Sequence, residues 1–181
     1  MAEEKSFQVL DPTATPSVAT AGMADRPNSL AGMRIGLLRN DKLNSESLLD
    51  AIYDVLSERF EFANAYRVNK GDASRPADPD FLSDFSNEVD VALLANGDGG
   101  SCSSSSVYDS LKLEALGVPA IAICTEPFES GAQAMANLGG IPDYPFVIIQ
   151  HPIGSLTSEQ IRERAIEAAP QIIQSLIARR V

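Results

Sequence analysis

The sequence predicts an α/β domain, a three-layer α/β/α sandwich built on a mainly parallel sheet of about five strands. Two observations carry that expectation. From Gly32 onward, short apolar runs alternate with longer amphipathic segments, the pattern of strands joined by crossover helices. Five such units fill roughly 150 residues, and 181 residues with 44% hydrophobic content suffice for one full core rather than two. The chain thus divides into an extended or mobile N-terminal arm, residues 1–31, and a single α/β domain, residues 32–181.

Residues 33–38 form the first expected strand, leading into Asn40-Asp41-Lys42-Leu43-Asn44, a turn whose side chains suit a helix start. The helix opened by Asn44 or Ser45 places Leu48, Leu49, Ile52, Val55 and Leu56 along one face. Residues 60–68 are the second strand candidate, the polar segment 71–79 is a loop, and residues 80–85 are a short helix. The third strand, residues 89–95, ends in Asn96-Gly97-Asp98-Gly99-Gly100. After Ser101-Cys102-Ser103 comes a helix carrying Val107, Leu111, Leu113 and Leu116 and stopped by Gly117. Residues 119–123 make the fourth strand, ending at Cys124-Thr125-Glu126-Pro127, and a helix over about 127–138 is closed by Gly139-Gly140. Residues 146–149 make the fifth strand, followed by His151-Pro152-Ile153-Gly154. Thr157 or Ser158 caps the last helix, with Glu159 and Glu163 near its start and Arg179 and Arg180 at its end, as the helix dipole favours. Pro170 is expected to kink that helix. This order of elements suits an open sheet of flavodoxin- or Rossmann-like shape.

Fourteen Lys and Arg against 25 Asp and Glu leave a formal charge of −11. Such a chain repels phosphate backbones and anionic lipid, so neither nucleic acid nor a membrane surface is expected as a partner. No apolar run approaches the roughly 18–20 residues that span a bilayer. The first residues are acidic and lack an apolar stretch, so no signal peptide is expected, and the expected compartment is the cytoplasm, with both thiols reduced. Two cysteines and one histidine are too few for a Cys-rich zinc site, and no ligand spacing argues for a metal. Neither metal nor cofactor is expected. Within the arm, Phe7, Val9 and Leu10 suit a clasp on a neighbouring subunit, which keeps a homo- or hetero-oligomer open.

Ligands of open α/β sheets bind outside the carboxyl ends of the strands. Both cysteines and the only histidine fall in loops expected there. Gly97, Gly99 and Gly100 allow a tight turn and the close approach of a ligand. Cys102 falls at or near the first turn of a helix, where unpaired N–H groups and the dipole favour an anion, a thiolate included. Ser101, Ser103 and Ser104 to Ser106 add hydroxyls suited to a carboxylate or phosphate oxygen. The same run also reads as a glycine turn, a serine N-cap and a small buried cysteine. Cys124, on a strand about 4.8 Å from its neighbour, would flank one small substrate with Cys102 if the two strands are adjacent, and reads as readily as a core cysteine. Glu126 is a candidate general acid or base, or a plain helix-start carboxylate. His151 has the side chain best suited to proton transfer near neutral pH, although ahead of a proline it alternatively fixes a turn. Lys42 is a candidate counter-charge for an anion, with Asn40 and Thr125 as further binding candidates, and Asp98 and Asp109 rank lower as acids.

Gly99-Gly100-Ser101-Cys102, followed by Ser103 to Ser106 and Val107-Tyr108-Asp109, resembles the signature of the UGSC family of (seleno)proteins. That family is named for a Sec/Cys-Gly-Ser-Cys motif and is similar to the carboxy-terminal part of selenoprotein B of glycine, sarcosine and betaine reductases. Three further stretches look like the same family: residues 38–44, residues 117–128, and His151-Pro152-Ile153. On that resemblance Gly99 stands where the family has selenocysteine or cysteine, and Cys102 matches the second cysteine. A vicinal dithiol cannot form, so the reductive chemistry that the family implies would need Cys124 as the second thiol.

The function expected first is a cysteine-dependent enzyme on a small polar, carboxylate-bearing metabolite, working by thiol-assisted elimination, addition or hydration, or by reductive cleavage. Cys102 is then the thiolate nucleophile or base, and Cys124, Glu126 or His151 the proton donor, while Lys42 and the serine-rich helix start hold the anion. A variant is racemase-like proton transfer between two cysteines, since Cys124-Thr125-Glu126 looks somewhat like the second cysteine motif of aspartate/glutamate racemases. The contrasting class is a non-catalytic or half-site subunit that completes a partner's active site. A nucleotide or flavin binder ranks last, because no Thr-rich phosphate loop follows the first strand and the chain has no Trp.

Overall fold

The computed structural model describes residues 22–178. The Phe7, Val9 and Leu10 cluster of the expected arm, and Arg179 and Arg180 at the expected helix end, lie outside the described residues. Strands and helices alternate: β1 Arg34–Arg39, α1 Ser45–Ser57, β2 Asn64–Asn69, α2 Pro79–Glu88, β3 Val91–Gly97, α3 Gly100–Ala115, β4 Ala120–Thr125, α4 Glu129–Leu138, β5 Val147–Ile149 and α5 Ser158–Leu176. A single 3₁₀ turn, Glu126–Phe128, joins β4 to α4. All four strand pairings are parallel, in the order β2-β1-β3-β4-β5. That is the flavodoxin-like, doubly wound order. The α/β class and the five-stranded parallel sheet read from the sequence are both present.

Period-two alternation sorts the strand side chains between the two helical layers. Ile35, Leu37, Val91, Leu93, Ile121 and Ile123 face the layer of α1 and α5. Leu38, Ala92, Leu94 and Ala120 face α2 and α3, and Ala122 and Cys124 face α3 and α4. β3 and β4 are buried along their whole length, which is why they read as continuous apolar runs. Each fully buried Leu or Ile here contributes about 1.5–3 kcal/mol relative to exposure. Gly36 lets α2 close onto β1, because a Cβ there would meet the Phe85 ring and lie 2.9 Å from Val89 Cγ1.

Most strand boundaries shift by one or two residues from the sequence reading, and β2 and α2 differ by more. β2 begins at Asn64 rather than residue 60, because Phe60 and Phe62 leave the strand line to stack with each other and with Tyr53. α2 starts at Pro79, where Asp78 caps it by accepting from Asp80 N at 2.9 Å, and runs to Glu88, three residues beyond the expected end. α5 opens with the expected Thr157 cap, reciprocated by Gln160, and continues through Pro170 to Leu176.

Residues 22–31, the described part of the expected arm, lie against the domain. Leu30 is fully buried. Arg26 makes a two-pronged ion pair with the buried Glu114 at 2.6 and 2.8 Å, and Ala24 N and Ala120 N donate to the same carboxylate at 2.8 and 3.0 Å. A second buried pair, Lys70–Asp109, ties the loop after β2 to α3. Lys70 Nζ also donates to Ser105 Oγ at 2.7 Å and to the Arg75 carbonyl at 2.9 Å, and Asp109 accepts Ala77 N at 2.9 Å. Burial pushes the Asp109 carboxyl up from its ordinary value, and the Lys70 ammonium pulls against it. Asp109, a minor acid candidate by sequence, is here half of a lock between elements. No helix among the described residues is long and apolar enough to cross a membrane.

Removing one partner of a buried pair strands the other charge, at a cost of about 3–5 kcal/mol. Lys70→Met is therefore expected to lower the unfolding free energy by roughly that amount, read as a lower urea midpoint with an unchanged slope. A loss below about 1 kcal/mol would mean that Asp109 is solvated after all.

Candidate functional site

In this strand order the crevice between β1 and β3 is where a ligand would ordinarily enter. Here buried side chains fill it. Asn40 Nδ2 donates to the Asn96 carbonyl at 3.3 Å, Ser45 Oγ donates to the Ala95 carbonyl at 2.7 Å, and Asn96 Nδ2 donates to the Leu43 carbonyl at 3.3 Å. The polar atoms of Asn40 are thus spent on joining loops. In the same loop four backbone N–H groups are taken by partners within the chain. Asn40 N bonds Ser45 Oγ, Asp41 N the Gly71 carbonyl, Lys42 N the Asn40 Oδ1, and Ser45 N the Lys42 carbonyl.

The predicted residues gather one step along, at the ends of β3, β4 and β5. Gly97 is paired with Cys124 across β3 and β4. A Cβ on Gly97 would lie 2.7 Å from Cys124 Sγ, 2.7 Å from Ser103 Oγ and 2.9 Å from Ser103 Cα. Its absence lets the start of α3 settle directly onto β4. Ser103 Oγ then donates to the Gly97 carbonyl at 2.9 Å, and Ser103 N to the Gly99 carbonyl at 2.9 Å.

The helix begins at Gly100, so Cys102 is its third residue, in the first turn as expected. Its thiol is buried but stands at a gap over Gly99. The position a Gly99 Cβ would take is 3.6 Å from Cys102 Sγ and 3.8 Å from Lys42 Nζ. Thiol and ammonium therefore both border one small space over Gly99, no larger than a single Cβ would fill at ordinary contact distance. Lys42 has no carboxylate partner among the described residues.

Beside this gap Asp98, Thr125 and His151 form a second cluster. His151 Nδ1 is 2.8 Å from Asp98 Oδ1, while Asp98 Oδ2 accepts Ile153 N at 3.1 Å and Gly154 N at 3.2 Å. Thr125 Oγ1 lies 3.2 Å from both Asp98 Oδ1 and His151 Nδ1, and 3.3 Å from the Gly97 carbonyl. Phe128 meets the imidazole edge-on with centroids 5.6 Å apart. Asn44 Nδ2 holds the His151 loop in place through the Ile153 and Leu156 carbonyls at 2.9 and 3.0 Å.

The other predicted residues fall elsewhere. Cys124 is fully buried, packed in the apolar cluster of Val107, Leu111, Ala132 and Ala136. Burial pushes its thiol up to about 12, with the Ser103 hydroxyl acting weakly the other way. Glu126 is exposed in the 3₁₀ turn, and its carboxylate has no hydrogen-bond or ion-pair partner among the described residues. Ser104 Oγ reaches the Gly131 carbonyl at 3.5 Å, and Ser101 and Ser104 line a groove of about 480 Å³ with Pro76, Tyr108, Met135 and Leu138. Gly100 is exposed on the outer side of the turn. Asp98 was undervalued by sequence reasoning, although an acid between glycines directly after a buried strand was its available signal. Asn44 precedes α1 as the sequence suggests, but nothing local announced its bonds to the His151 loop. Among the described residues no three His, Cys, Asp or Glu side chains gather where they could hold a metal ion.

The sequence matches the model of the UGSC family over residues 8–178. No curated protein matches it. Similar solved structures include a diflavin flavoprotein A3 from Nostoc sp., 17% identical over 80% of this chain and 93% of that one, with a TM-score of 0.42. Another is the flavodoxin-like domain of a Synechococcus sp. protein, 13% identical over 77% of this chain and 99% of that one, with a TM-score of 0.37. Neither neighbour bears on the chemistry of the site.

Gly97→Ala is expected to cost about 1–3 kcal/mol in thermal or urea unfolding, because the Ser103 backbone must move. Unchanged stability would mean that α3 can shift freely. Cys124 should resist iodoacetamide in the native protein. With a thiol at about 12, on the order of one molecule in ten thousand is thiolate at pH 8, and labelling should appear only on unfolding. Native labelling at the rate of a free cysteine, resolved by peptide mass spectrometry, would contradict the burial.

Proposed function

The chain belongs to the UGSC family, and on that footing we propose that it is a thiol enzyme acting on a small carboxylate-bearing metabolite. Cys102 is the nucleophile or base, Lys42 the counter-charge of the substrate carboxylate, and His151 the proton carrier. The observation that carries this reading is the position over Gly99, from which Cys102 Sγ is 3.6 Å and Lys42 Nζ 3.8 Å away. The first turn of α3 adds N–H groups and the positive end of its dipole, which favour negative charge in the same place.

The chemistry that best suits one reactive thiol is elimination, addition or hydration. Reductive cleavage and racemase-like transfer both ask for a second thiol, and Cys124, with its proton held to about 12, offers little thiolate. The Gly99 position supports the same preference, since a resolving thiol in the motif itself is absent. This reading supposes a reducing compartment such as the cytoplasm, and needs neither metal nor organic cofactor.

A half-site role is the second reading, favoured by one observation. Leu43 is 75% exposed at the rim of the site, beside Gly154, where a partner chain would cover it.

Iodoacetate and iodoacetamide test the thiol reading, because they differ in carrying a carboxylate. Cys102 is expected to prefer iodoacetate relative to a free thiol, and Lys42→Ala should cut that preference about fivefold, the worth of about 1 kcal/mol between charges some 4 Å apart in water. If Cys102 stays inert to both reagents, or Lys42→Ala slows both equally, the anion-binding thiol site is wrong for the isolated chain.

A further inference from the structure

We propose that Asp98 is the positioning residue of this site: it holds the His151 imidazole with a proton on Nδ1 and leaves Nε2 as the nitrogen that exchanges protons with a substrate. The inference rests on reading His151 as the proton carrier, and it adds a role for a residue that never touches the reacting atoms.

The argument is one of hydrogen-bond accounting. An ionised carboxylate only accepts, so the 2.8 Å contact between Asp98 Oδ1 and His151 Nδ1 requires the proton to sit on Nδ1. The neutral ring then carries its lone pair on Nε2. The carboxylate cannot turn away, because its other oxygen satisfies the N–H groups of Ile153 and Gly154 at 3.1 and 3.2 Å. Those two donors belong to the loop that carries His151, so one acid fixes both the ring and its backbone. Thr125 Oγ1 also lies 3.2 Å from Nδ1, but with the Nδ1 proton committed to the closer carboxylate contact the hydroxyl proton goes to the Gly97 carbonyl or Asp98 Oδ1, at 3.3 or 3.2 Å. Phe128 bounds the ring from the side. The Asp98 side chain is 11% exposed and that of His151 37%, so the fixing group is screened while the exchanging group still meets solvent.

Asp98→Asn reverses the demand. The Ile153 and Gly154 N–H groups require the amide oxygen in the place of Oδ2, which turns the amide NH₂ toward Nδ1. Nδ1 must then accept, and the proton moves to Nε2.

His151 is the only histidine in the chain, so the imidazole ¹⁵N spectrum of the full-length protein reads it directly, without an activity assay. At high pH the wild-type ring is expected to show a protonated Nδ1 and an unprotonated Nε2, and Asp98→Asn to exchange the two. A wild-type ring with the proton on Nε2, or a folded Asp98→Asn protein with an unchanged tautomer, overturns the role. The wild-type spectrum decides alone should the variant fail to fold. Because no part of this readout involves Cys102, failure of the thiol reading appears separately, in the alkylation of Cys102.

Discussion

A missing side chain at Gly97 is the constraint on which the site depends. A Cβ there would collide with Cys124 and with the Ser103 backbone. Its absence brings the start of α3 down onto β4, and the Ser103 hydroxyl secures the approach through the Gly97 carbonyl. Cys102, one residue earlier, is thereby carried to the mouth of the gap over Gly99, and Asp98 is left at the strand end facing the His151 loop. Thiol, ammonium, acid and imidazole thus come from three separate βα loops brought to one edge of the sheet.

The helix that delivers Cys102 is unusual in burying polar side chains. Ser103, Ser105, Ser106, Asp109, Ser110 and Glu114 are all buried along α3. Their groups find partners: Ser105 and Asp109 take Lys70, Ser110 donates to the Ser106 carbonyl, and Glu114 takes Arg26. Two buried ion pairs, one in the middle of the helix at Asp109 and one near its end at Glu114, contribute little net stability, yet each makes misplacement expensive, because a shift would strand a charge. α3 is thereby held in register from both sides, and a rigid helix is what a site needing accurate spacing between thiol and ammonium requires.

The serine run illustrates how local pattern misleads. Five serines within six residues, four of them consecutive, suggest hydroxyls waiting for an anion after a glycine loop. Ser103 and Ser105 instead serve the framework, and Ser101 and Ser104 look into a neighbouring groove. Asn40 followed the same course, drawn into closing the crevice between β1 and β3. Hydroxyl and amide groups satisfy backbone and ligand equally well, so residue type alone does not say which they meet.

The sequence by itself determined the α/β class, the alternation of strands and helices, a cap for α5 at Thr157 or Ser158 and the placing of Cys102 at or near the first turn of a helix. Those features depend on hydrophobic period and on capping, which act within a few residues. Only the tertiary structure decided that Asp98 meets His151, that Lys42 and Cys102 share the space over Gly99, and that Cys124 is sealed among apolar side chains. These contacts depend on which strands lie side by side and how closely one helix approaches one strand. Periodicity carries no record of strand order, and the steric room left by a glycine has meaning only once its distant neighbours are in place.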